Sequence, residues 1–391
     1  NDINLQVVSQ DYVNLMINQT SGMKSIIFDS DTKIMFSLII SKTFAIQEEI
    51  FMFEELKNLK TENKLYNVKG IFLLRPTEEN IEFLSMILKD PPFVDIYLNF
   101  TNVVNEDFLK TLAIADESAA IKSINEVFLD FFILNRRLFH LNIDLNSLLK
   151  NVSVWRQYDH LLAERVAEGV FAACLSLRLY PVIKYIRRNE ASTLISRKVL
   201  NLFQDHSDMI HKNCGTSPNS LLFMYDRKED PITPLLSQWT YQSMIHENFT
   251  IKQNIVSVKN EKLVLSDIED SFFQENLDVV FGEVAGKINE KVNELGKKRE
   301  SENMESFEQI KTYIENLPQK KKESMEITKH TSIIFELTKV MDEKKLLEFS
   351  SLEQEIACTD NKREQLTKLI NLIKNPSYSK SNLEKVKLFL L

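Results

Sequence analysis

The stretch IFLLRPTEEN, residues 71–80, joins a short apolar run to the start of an amphipathic segment. A continuous apolar run of this length is typical of a strand that is buried on both faces of a sheet. The polar residues that follow suit a helix start, because Thr77 can cap free N–H groups while Glu78 and Glu79 favour the positive end of the helix dipole. The stretch therefore predicts a strand followed by a helix over 78–89.

The same alternation extends on both sides of this stretch, over residues 23–134. Five apolar runs lie in this region, at 26–28, 50–53, 71–74, 96–100 and 127–134. Strands that alternate with helices form parallel sheets, since the helices carry the chain back across the sheet. We therefore predict an N-terminal α/β domain with a doubly wound, parallel, five-stranded sheet.

Residues 135–250 continue in the same style, which indicates a second α/β domain. The predicted helices are 159–179 and 190–204, and the predicted strands are 182–186 and 221–225. We interpret the polar stretch 205–219 as a loop, because it contains a glycine and a proline. Thr233 then caps a predicted helix with Pro234 at its first position, where the fixed φ of proline fits the turn. One face of this helix would contain Leu235, Trp239, Gln242 and Ile245.

Long charged helices are predicted from about residue 251 onward. Two apolar stripes at helical spacing, over 281–295 and 304–317, flank a charged break at 296–303. Such a pair of stripes around a short polar tip predicts an antiparallel helical hairpin. Pro318 follows the second stripe, and we expect it to kink or end that helix because proline removes a backbone hydrogen bond.

The composition of the chain excludes several classes of function. The 48 Lys and Arg residues against 56 Asp and Glu give a net charge of −8, which argues against a general nucleic-acid-binding protein. The 391 residues include seven glycines and neither GxGxxG nor GxxxxGK[ST], so phosphate-cradling loops of the dinucleotide-binding and nucleotide-hydrolysing classes are excluded. No apolar run approaches the length of a membrane span and no signal peptide is visible, so we expect a cytosolic protein.

The strongest candidate for a catalytic site is IIFDSDT, residues 26–32. A buried strand that ends in DxD resembles the nucleophile strand of haloacid-dehalogenase-type phosphatases. Asp29 would attack phosphorus there and Asp31 would handle the leaving-group proton. The glycine usual after the second Asp is missing, and no downstream acidic pair suits Mg²⁺. A polar turn after a strand is the alternative interpretation.

A metal site is the second candidate, at His206, His211 and Cys214. Zinc takes these ligands, but their spacing fits only in part and no second half-site follows. A loop with incidental polar residues is the alternative, and we predict no metal.

The most distinctive segment of the chain is DRKEDPITPLL, residues 226–236. Its residues predict a buried strand that enters a tight turn, with Asp226, Arg227 and Asp230 placed for ion pairs that fix the turn. Direct contact with a ligand is the alternative role for these charges.

The longer segment DRKEDPITPLLSQWTYQSMIHENF, residues 226–249, closely resembles the signature of the SM family, the cytosolic syntaxin-binding regulators of SNARE-mediated membrane fusion. Two more blocks agree in order: LRPTEEN at 74–80 with FTN at 100–102, and LAIADE at 112–117. The resemblance extends from Met23 to the end of the chain and is strongest to the endosomal branch of the family. The residues that carry the structural motif are Asp226, Arg227, Asp230, Pro231, Thr233 and Pro234.

The resemblance implies an arch-shaped molecule with three domains. Residues 1–116 would form the syntaxin-binding domain 1, 117–250 the first half of the α/β domain 2, and 251–391 a mainly helical domain 3 inserted into domain 2. The sequence ends within an apolar stripe at Leu391, whereas family members continue with the rest of domain 3 and the returning half of domain 2. We therefore expect that half of the second sheet to be missing here and apolar surface to be exposed.

The resemblance also implies a site on domain 1 for the N-terminal peptide of a syntaxin. The apolar positions that resemble this pocket are Leu109, Leu112, Ala113, Ile124 and Val127. The spacing of the first three puts them on one helix face, which suits an anchor side chain of the peptide. The alternative is that this face simply packs against the sheet.

A second implied site grips the helical part of the syntaxin in a cleft between domains 1 and 3, and the hairpin would receive the vesicle SNARE. Pro318, His330 and Ile333 are the residues that we assign to this hairpin switch and groove. The resemblance implies a monomeric, non-enzymatic protein without cofactor that acts in Golgi, endosomal and vacuolar traffic and reaches membranes through SNAREs. A phosphohydrolase and a generic Rossmann-like adaptor are the alternatives.

Overall fold

The computed structural model describes residues 3–62, 64–143, 155–267, 270–300, 307–358, 362–375, 378 and 381–391. The chain divides into two compact units, residues 1–226 and 227–391. The boundary between them falls inside the motif of residues 226–236, and the three-domain division at residues 116 and 250 stays a prediction.

The first unit contains the predicted parallel sheet. Its five strands have the order β2-β1-β3-β4-β5, with every neighbouring pair parallel. The strands are β1 Lys24–Phe28, β2 Ile50–Glu55, β3 Lys69–Leu74, β4 Ile96–Phe100 and β5 Ile121–Glu126. Successive residues of a strand point to opposite faces, so Ile26 and Ile27 belong to two separate apolar cores, one on each face.

The fifth strand does not lie where the apolar run predicts it. β5 is formed by residues 121–126, whose sequence IKSINE is mixed because an edge strand is not buried on both faces. The apolar residues Val127, Phe128 and Leu129 are buried without being in a strand. Residues 132–134 form part of a separate antiparallel pair, β6 Phe132–Asn135 with β7 Leu138–His140.

Eight helices of the described residues belong to the first unit: α1 Leu5–Ile17, α2 Ser30–Ile39, α3 Lys42–Gln47, α4 Glu78–Leu88, α5 Glu106–Ala115, α6 Trp155–Ser176, α7 Glu190–Asp205 and α8 Ser207–Cys214. Helix α4 confirms the prediction for 78–89, and Thr77 Oγ1 accepts a 3.3 Å hydrogen bond from the N–H of Asn80 at its start. Helix α8 corrects the predicted loop over 205–219. One residue, Ile210, anchors α8 in the core, which is too little to give a periodic signal in the sequence.

A short parallel pair completes the first unit, β8 Pro181–Tyr185 with β9 Ser220–Met224. One face of this pair packs on the helices through Ile183 and Leu222. The other face exposes Leu221 and Phe223, each of which has 58% of its surface accessible.

The second unit is mainly helical. Its elements are α9 Tyr241–Phe249, β10 Ile255–Val258, β11 Glu261–Val264, α10 Ser271–Asn276, α11 Phe281–Glu300, α12 Phe307–Lys344, α13 Leu346–Cys358, α14 Lys362–Lys374 and α15 Asn382–Leu390. Helices α11 and α12 pack in one core through Val284, Ile288 and Ile333, so two packed helices flank the predicted tip. Helix α11 extends to Glu300, into the predicted break at 296–303, and the side chains of the second stripe, 304–317, lie outside the described residues. Helix α12 continues through Pro318, so of the two predicted effects, a kink or an end, the end is wrong.

The prediction of a helix that begins at Thr233 is wrong. Thr233–Leu235 is a single 3₁₀ turn, and α9 begins at Tyr241. The intervening backbone is held by tertiary contacts, because the N–H of Ser237 donates to Glu353 Oε2 at 2.8 Å and Trp239 Nε1 donates to Ser350 Oγ at 2.9 Å. Across both units, none of the described helices is long and apolar enough to cross a bilayer.

Candidate functional site

Asp29 lies at the carboxyl end of β1, next to the carboxyl end of β3. In a doubly wound sheet of this strand order the neighbourhood of β1 and β3 is the switch point, where such folds bind ligands. Here the protein fills the position with its own groups. Asp29 Oδ1 accepts hydrogen bonds from the N–H groups of Asp31 and Thr32, at 2.9 and 2.8 Å. Asp29 Oδ2 accepts from the N–H of Arg75 at 2.7 Å and from Asn80 Nδ2 at 2.8 Å.

These contacts argue against Asp29 as a phosphatase nucleophile. Both carboxylate oxygens are already used to cap α2 and to hold the loop between β3 and α4. The carboxylate of Asp31 forms a 3.7 Å ion pair with Arg75, and burial raises the pKa of this carboxyl. Within the described ranges no three metal-ligating side chains cluster. The structure thus favours the structural turn over the catalytic interpretation.

A charged network continues from Arg75 into the interior of the first unit. Arg75 Nε donates to Asp130 Oδ1 at 2.8 Å, and Arg165 Nη1 lies 3.0 Å from Asp130 Oδ2. Asp130 has no accessible surface. Asn102, from the FTN block, donates from Nδ2 to Asp130 and to the backbone oxygen of Glu168. The network ties the sheet to α6 and explains why LRPTEEN and FTN occur together.

The structure divides the residues predicted for the peptide pocket into two groups. Leu109 and Ala113 are exposed on α5, and Ile124 is exposed on β5. Ile124 pairs in register with Leu98, which belongs to the same core as Leu112. The three exposed residues therefore lie on one face of the sheet.

The structure corrects the assignment of the other two residues to the pocket. Leu112 has no accessible surface, because it is the core-facing residue of α5. Val127 is also buried, and it belongs to the core on the opposite face of the sheet. A residue without accessible surface cannot contact a peptide, so we remove Leu112 and Val127 from the pocket.

The motif at 226–234 is a connected turn. Asn189 Nδ2 donates to Asp226 Oδ2 at 2.9 Å within the first unit. Arg227 forms a 3.4 Å ion pair with Asp230, whose Oδ1 accepts from the N–H of Thr233 at 3.1 Å. Hydrogen bonds from the Thr233 hydroxyl and then from its N–H lower the pKa of Asp230. Pro231 and Pro234 flank this capped turn, which supports the structural role of the motif.

His330 is the centre of a buried polar chain in the second unit. Its Nδ1 lies 2.8 Å from the hydroxyl of Tyr241, and its Nε2 lies 2.8 Å from Asp270 Oδ2. Burial lowers the pKa of His330, although Asp270 acts in the opposite direction. Burial raises the pKa of Asp270, but the hydrogen bond from His330, its charge and the Lys329 ammonium outweigh this and lower it to about 2.

This burial corrects two residues of the predicted vesicle-SNARE groove. His330 and Ile333 have no accessible surface, because they lie on the core-facing side of α12 together with Leu337. The side chain of Pro318 lies outside the described residues. An accessible groove does lie on α12, a pocket of about 730 Å³ against β11 lined by Leu263, Met325, Thr328 and Ser332.

The three residues of the zinc candidate have packing contacts in the structure. His206 and His211 contact the aromatic rings of Phe171 and Tyr180, with centroids 5.8 and 6.1 Å apart. Cys214 belongs to the residues packed against the same core. These contacts give the two imidazoles a packing role.

Comparison with known proteins decides the family. Residues 24–391 match the model of the Sec1 family. The chain belongs to the Sec1 (SM) family. It is 34% identical to vacuolar protein sorting-associated protein 45 of Dictyostelium discoideum over 95% of this chain and 66% of that protein. The Saccharomyces cerevisiae protein of the same name is 31% identical over 97% of this chain and 67% of that protein.

A solved structure agrees with the sequence comparisons. The SM protein Vps45 in complex with the Qa SNARE Tlg2 aligns with 98% of this Sec1-family chain and 70% of the solved chain, with a TM-score of 0.87 and 29% identity. The chain thus spans about two thirds of the length of the relatives that it matches.

Sequence reasoning missed the charges that organise this Sec1-family sheet. Asp130 lies inside the apolar run 127–134, and Arg165 and Glu168 lie in a long helix, so no local motif marks them. A signal did exist for Asp130, because an acidic residue between Leu129 and Phe131 has to be paired if the run is buried.

Proposed function

We propose that this chain is an SM-type regulator of SNARE-mediated vesicle fusion, which binds a syntaxin-type Q-SNARE and templates assembly of the SNARE complex. The observation that carries the proposal is the alignment of 98% of the chain with a Vps45 that was solved with a Qa SNARE bound. The names of the relatives support a role in vacuolar protein sorting, and we propose that this role extends to Golgi and endosomal transport.

The proposed contact with the N-terminal peptide of the syntaxin uses the exposed apolar residues Leu109, Ala113 and Ile124. They belong to adjacent elements, α5 and the edge strand β5, and to one face of the sheet. Exposed apolar side chains on one face favour a docked anchor residue over solvent. Asp116 supports this surface, because its carboxylate accepts from the N–H groups of Ala120 and Ile121 at 2.8 and 3.0 Å and so fixes the entry to β5.

The proposed contribution to fusion is the ordering of other chains. A disordered SNARE segment loses roughly 1–2 kcal/mol of backbone entropy per residue when it becomes ordered. A rigid surface that holds two SNAREs in register supplies part of this ordering before the helices zip together. No bond is made or broken in this process, so we propose that the chain acts without being an enzyme.

For the vesicle SNARE we propose the hairpin of α11 and α12. The groove of Leu263, Met325, Thr328 and Ser332 replaces the buried pair His330 and Ile333 as its accessible surface. Pro318 is the proposed switch. A proline lacks the N–H that the helix needs, so the continuous α12 is weakest at this residue and can break there.

We further propose that the protein is peripheral to Golgi and endosomal membranes and reaches them through its SNARE partners. The binding experiment uses residues 1–391 and the cytosolic domain of an endosomal syntaxin, measured by calorimetry with and without the N-terminal peptide of the syntaxin. We expect binding that weakens when the peptide is removed. Absence of binding by either form, together with Mg²⁺-dependent hydrolysis of a phosphate ester that Asp29→Asn abolishes, would favour the phosphohydrolase instead.

A further inference from the structure

Two lysines lie side by side at the amino-terminal end of the parallel sheet. Lys24 of β1 and Lys69 of β3 are direct partners in the strand register. Because alternate residues of a strand share a face, both side chains leave the sheet on the side of Ile26 and Ile71. Like charges at directly opposed positions destabilise a sheet, so this arrangement needs an explanation.

Neither lysine is neutralised by a carboxylate of the described residues. Lys24 is 5% exposed, and its ammonium donates to the backbone oxygen of Glu48 at 3.0 Å. Lys69 donates to the hydroxyl of Thr20 at 2.6 Å. Among the described residues, no carboxylate forms an ion pair with either ammonium. A buried lysine is normally paired, since a desolvated charge without a counter-charge is costly.

The two lysines line a polar pocket of about 630 Å³. The loop between α1 and β1 closes one side of it and adds hydroxyl and amide groups, from Asn18, Gln19, Thr20 and Ser21. Tyr97 of β4 lies on another side. Glu49 also lines the pocket, but it is exposed to solvent whereas Lys24 is not.

We infer that this pocket binds an anion of the phosphate class. Two ammonium groups and the hydroxyls of Thr20 and Ser21 can donate from several directions to one tetrahedral group, which offers more acceptor oxygens than a carboxylate does. The bound anion supplies the counter-charge that the fold lacks at Lys24. The pocket lies on the sheet face opposite the core of Leu112, so it is separate from the proposed peptide surface of Leu109, Ala113 and Ile124.

The test uses residues 1–391 and pyrophosphate as the probe, in a buffer without other multivalent anions. We expect pyrophosphate to raise the melting temperature and to give a binding isotherm, and Lys69→Gln to weaken that binding at least tenfold. Lys33→Gln is the matched control, because Lys33 is an exposed lysine of the same unit that is paired with Glu55. Equal responses of the wild type, Lys69→Gln and Lys33→Gln would overturn the inference, as would the absence of any response.

A second variant separates ligand binding from a structural role of Lys24. Lys24→Met removes the uncompensated charge, so we expect a protein at least as stable as the wild type in the absence of anion and unresponsive to pyrophosphate. A loss of stability that pyrophosphate does not affect would mean that Lys24 serves only to bond the Glu48 carbonyl. If Lys24→Met does not fold, Thr20→Val is used instead. It removes the hydroxyl that Lys69 bonds, and its stability and its response to pyrophosphate are compared in the same way.

The source of the phosphate group is distinguished by sedimentation with phosphatidylcholine vesicles that contain or lack a phosphatidylinositol phosphate. Binding to the phosphorylated vesicles that Lys69→Gln removes would assign a lipid headgroup. Binding of pyrophosphate without binding to vesicles would assign a soluble phosphate compound.

Discussion

Asp29 Oδ2 accepts a 2.7 Å hydrogen bond from the backbone N–H of Arg75, and this bond joins the carboxyl ends of β1 and β3. The same carboxylate caps α2. One side chain thus closes the crevice in which a doubly wound sheet would hold a small ligand. This geometry supports the proposal that the protein acts through its exposed surfaces and not through the crevice between β1 and β3.

The role of Asp29 can be tested through stability. Asp29→Ala removes a helix cap and leaves the N–H of Arg75 without its acceptor, so we expect a loss of about 2–4 kcal/mol in the free energy of unfolding of the first unit. Urea denaturation followed by circular dichroism measures it. Asp31→Ala is the control and should cost less than about 1 kcal/mol, because its ion pair with Arg75 is long. A normal stability of Asp29→Ala would contradict the structural role.

Asp130 should be among the most sensitive polar residues of the first unit. Asp130→Asn leaves Arg75 and Arg165 without their shared buried counter-charge, and we expect a loss of about 3–5 kcal/mol. The matched control is Asp107→Asn, whose carboxylate is 89% exposed and pairs only with Lys110 in the same helix; it should change stability by less than about 0.5 kcal/mol. Denaturant titration of both variants decides the point, and equal midpoints would refute the network as a stabilising element.

The buried chain of Tyr241, His330 and Asp270 predicts a defined pH dependence of the second unit. The pKa of His330 is lower in the fold than in the unfolded chain, so the unfolded state takes up a proton first. Stability should therefore be complete above about pH 6.5 and should fall below it, by up to about 1.4 kcal/mol per pH unit. The pKa of Asp270 is lowered to about 2, so a further loss is expected as the pH falls below the ordinary range of Asp.

Trp239 fluorescence in a Trp155→Phe background reports on the second unit, since these are the two tryptophans of the chain. His330→Gln should flatten the loss of stability just below pH 6.5, whereas His160→Gln, a change at an exposed histidine, should leave it unchanged. The same pH dependence in both variants would show that His330 is not the titrating group.

Pro318 is predicted to limit the activity of the hairpin. A proline in a helix interior costs about 3 kcal/mol relative to alanine, so Pro318→Ala should stabilise the continuous α12. If the continuous helix presents the vesicle-SNARE groove, liposome fusion driven by the SNAREs should become faster with this variant. Pro218→Ala, in an exposed loop, serves as control. Equal fusion rates for the two variants would count against the switch.

The elements with strong local signals were predictable from the sequence. The apolar strands β1 to β4 and the capped helix α4 follow directly from continuous apolar runs and from Thr77. Strand β5 was not predictable, because its own sequence is mixed and the next apolar run, at Val127, is buried without being in a strand. The hairpin of β10 and β11 was also not predicted from the sequence. Its tight turn is formed by Lys259 and Asn260, which have positive φ values of 51° and 68°.

The candidate site shows the same limit at the level of side chains. Helical spacing correctly put Leu109, Leu112 and Ala113 on one helix, but it could not say which of them turns to the core, because a groove and a core stripe share the same period. The prediction that His330 and Ile333 line an accessible groove is wrong for the same reason. The pairing of Lys24 with Lys69 depends on strand register, which no local pattern specifies.

The most direct test of the account is a calorimetric titration of residues 1–391 with the N-terminal peptide of an endosomal syntaxin, for the wild type, Leu109→Arg and Leu15→Arg. Leu15 is an exposed leucine of α1, so Leu15→Arg controls for the added charge. We expect the wild type and Leu15→Arg to bind the peptide alike, and Leu109→Arg to lose binding while its thermal unfolding is unchanged. Equal affinity of Leu109→Arg and Leu15→Arg, or no binding by the wild type, would contradict the account.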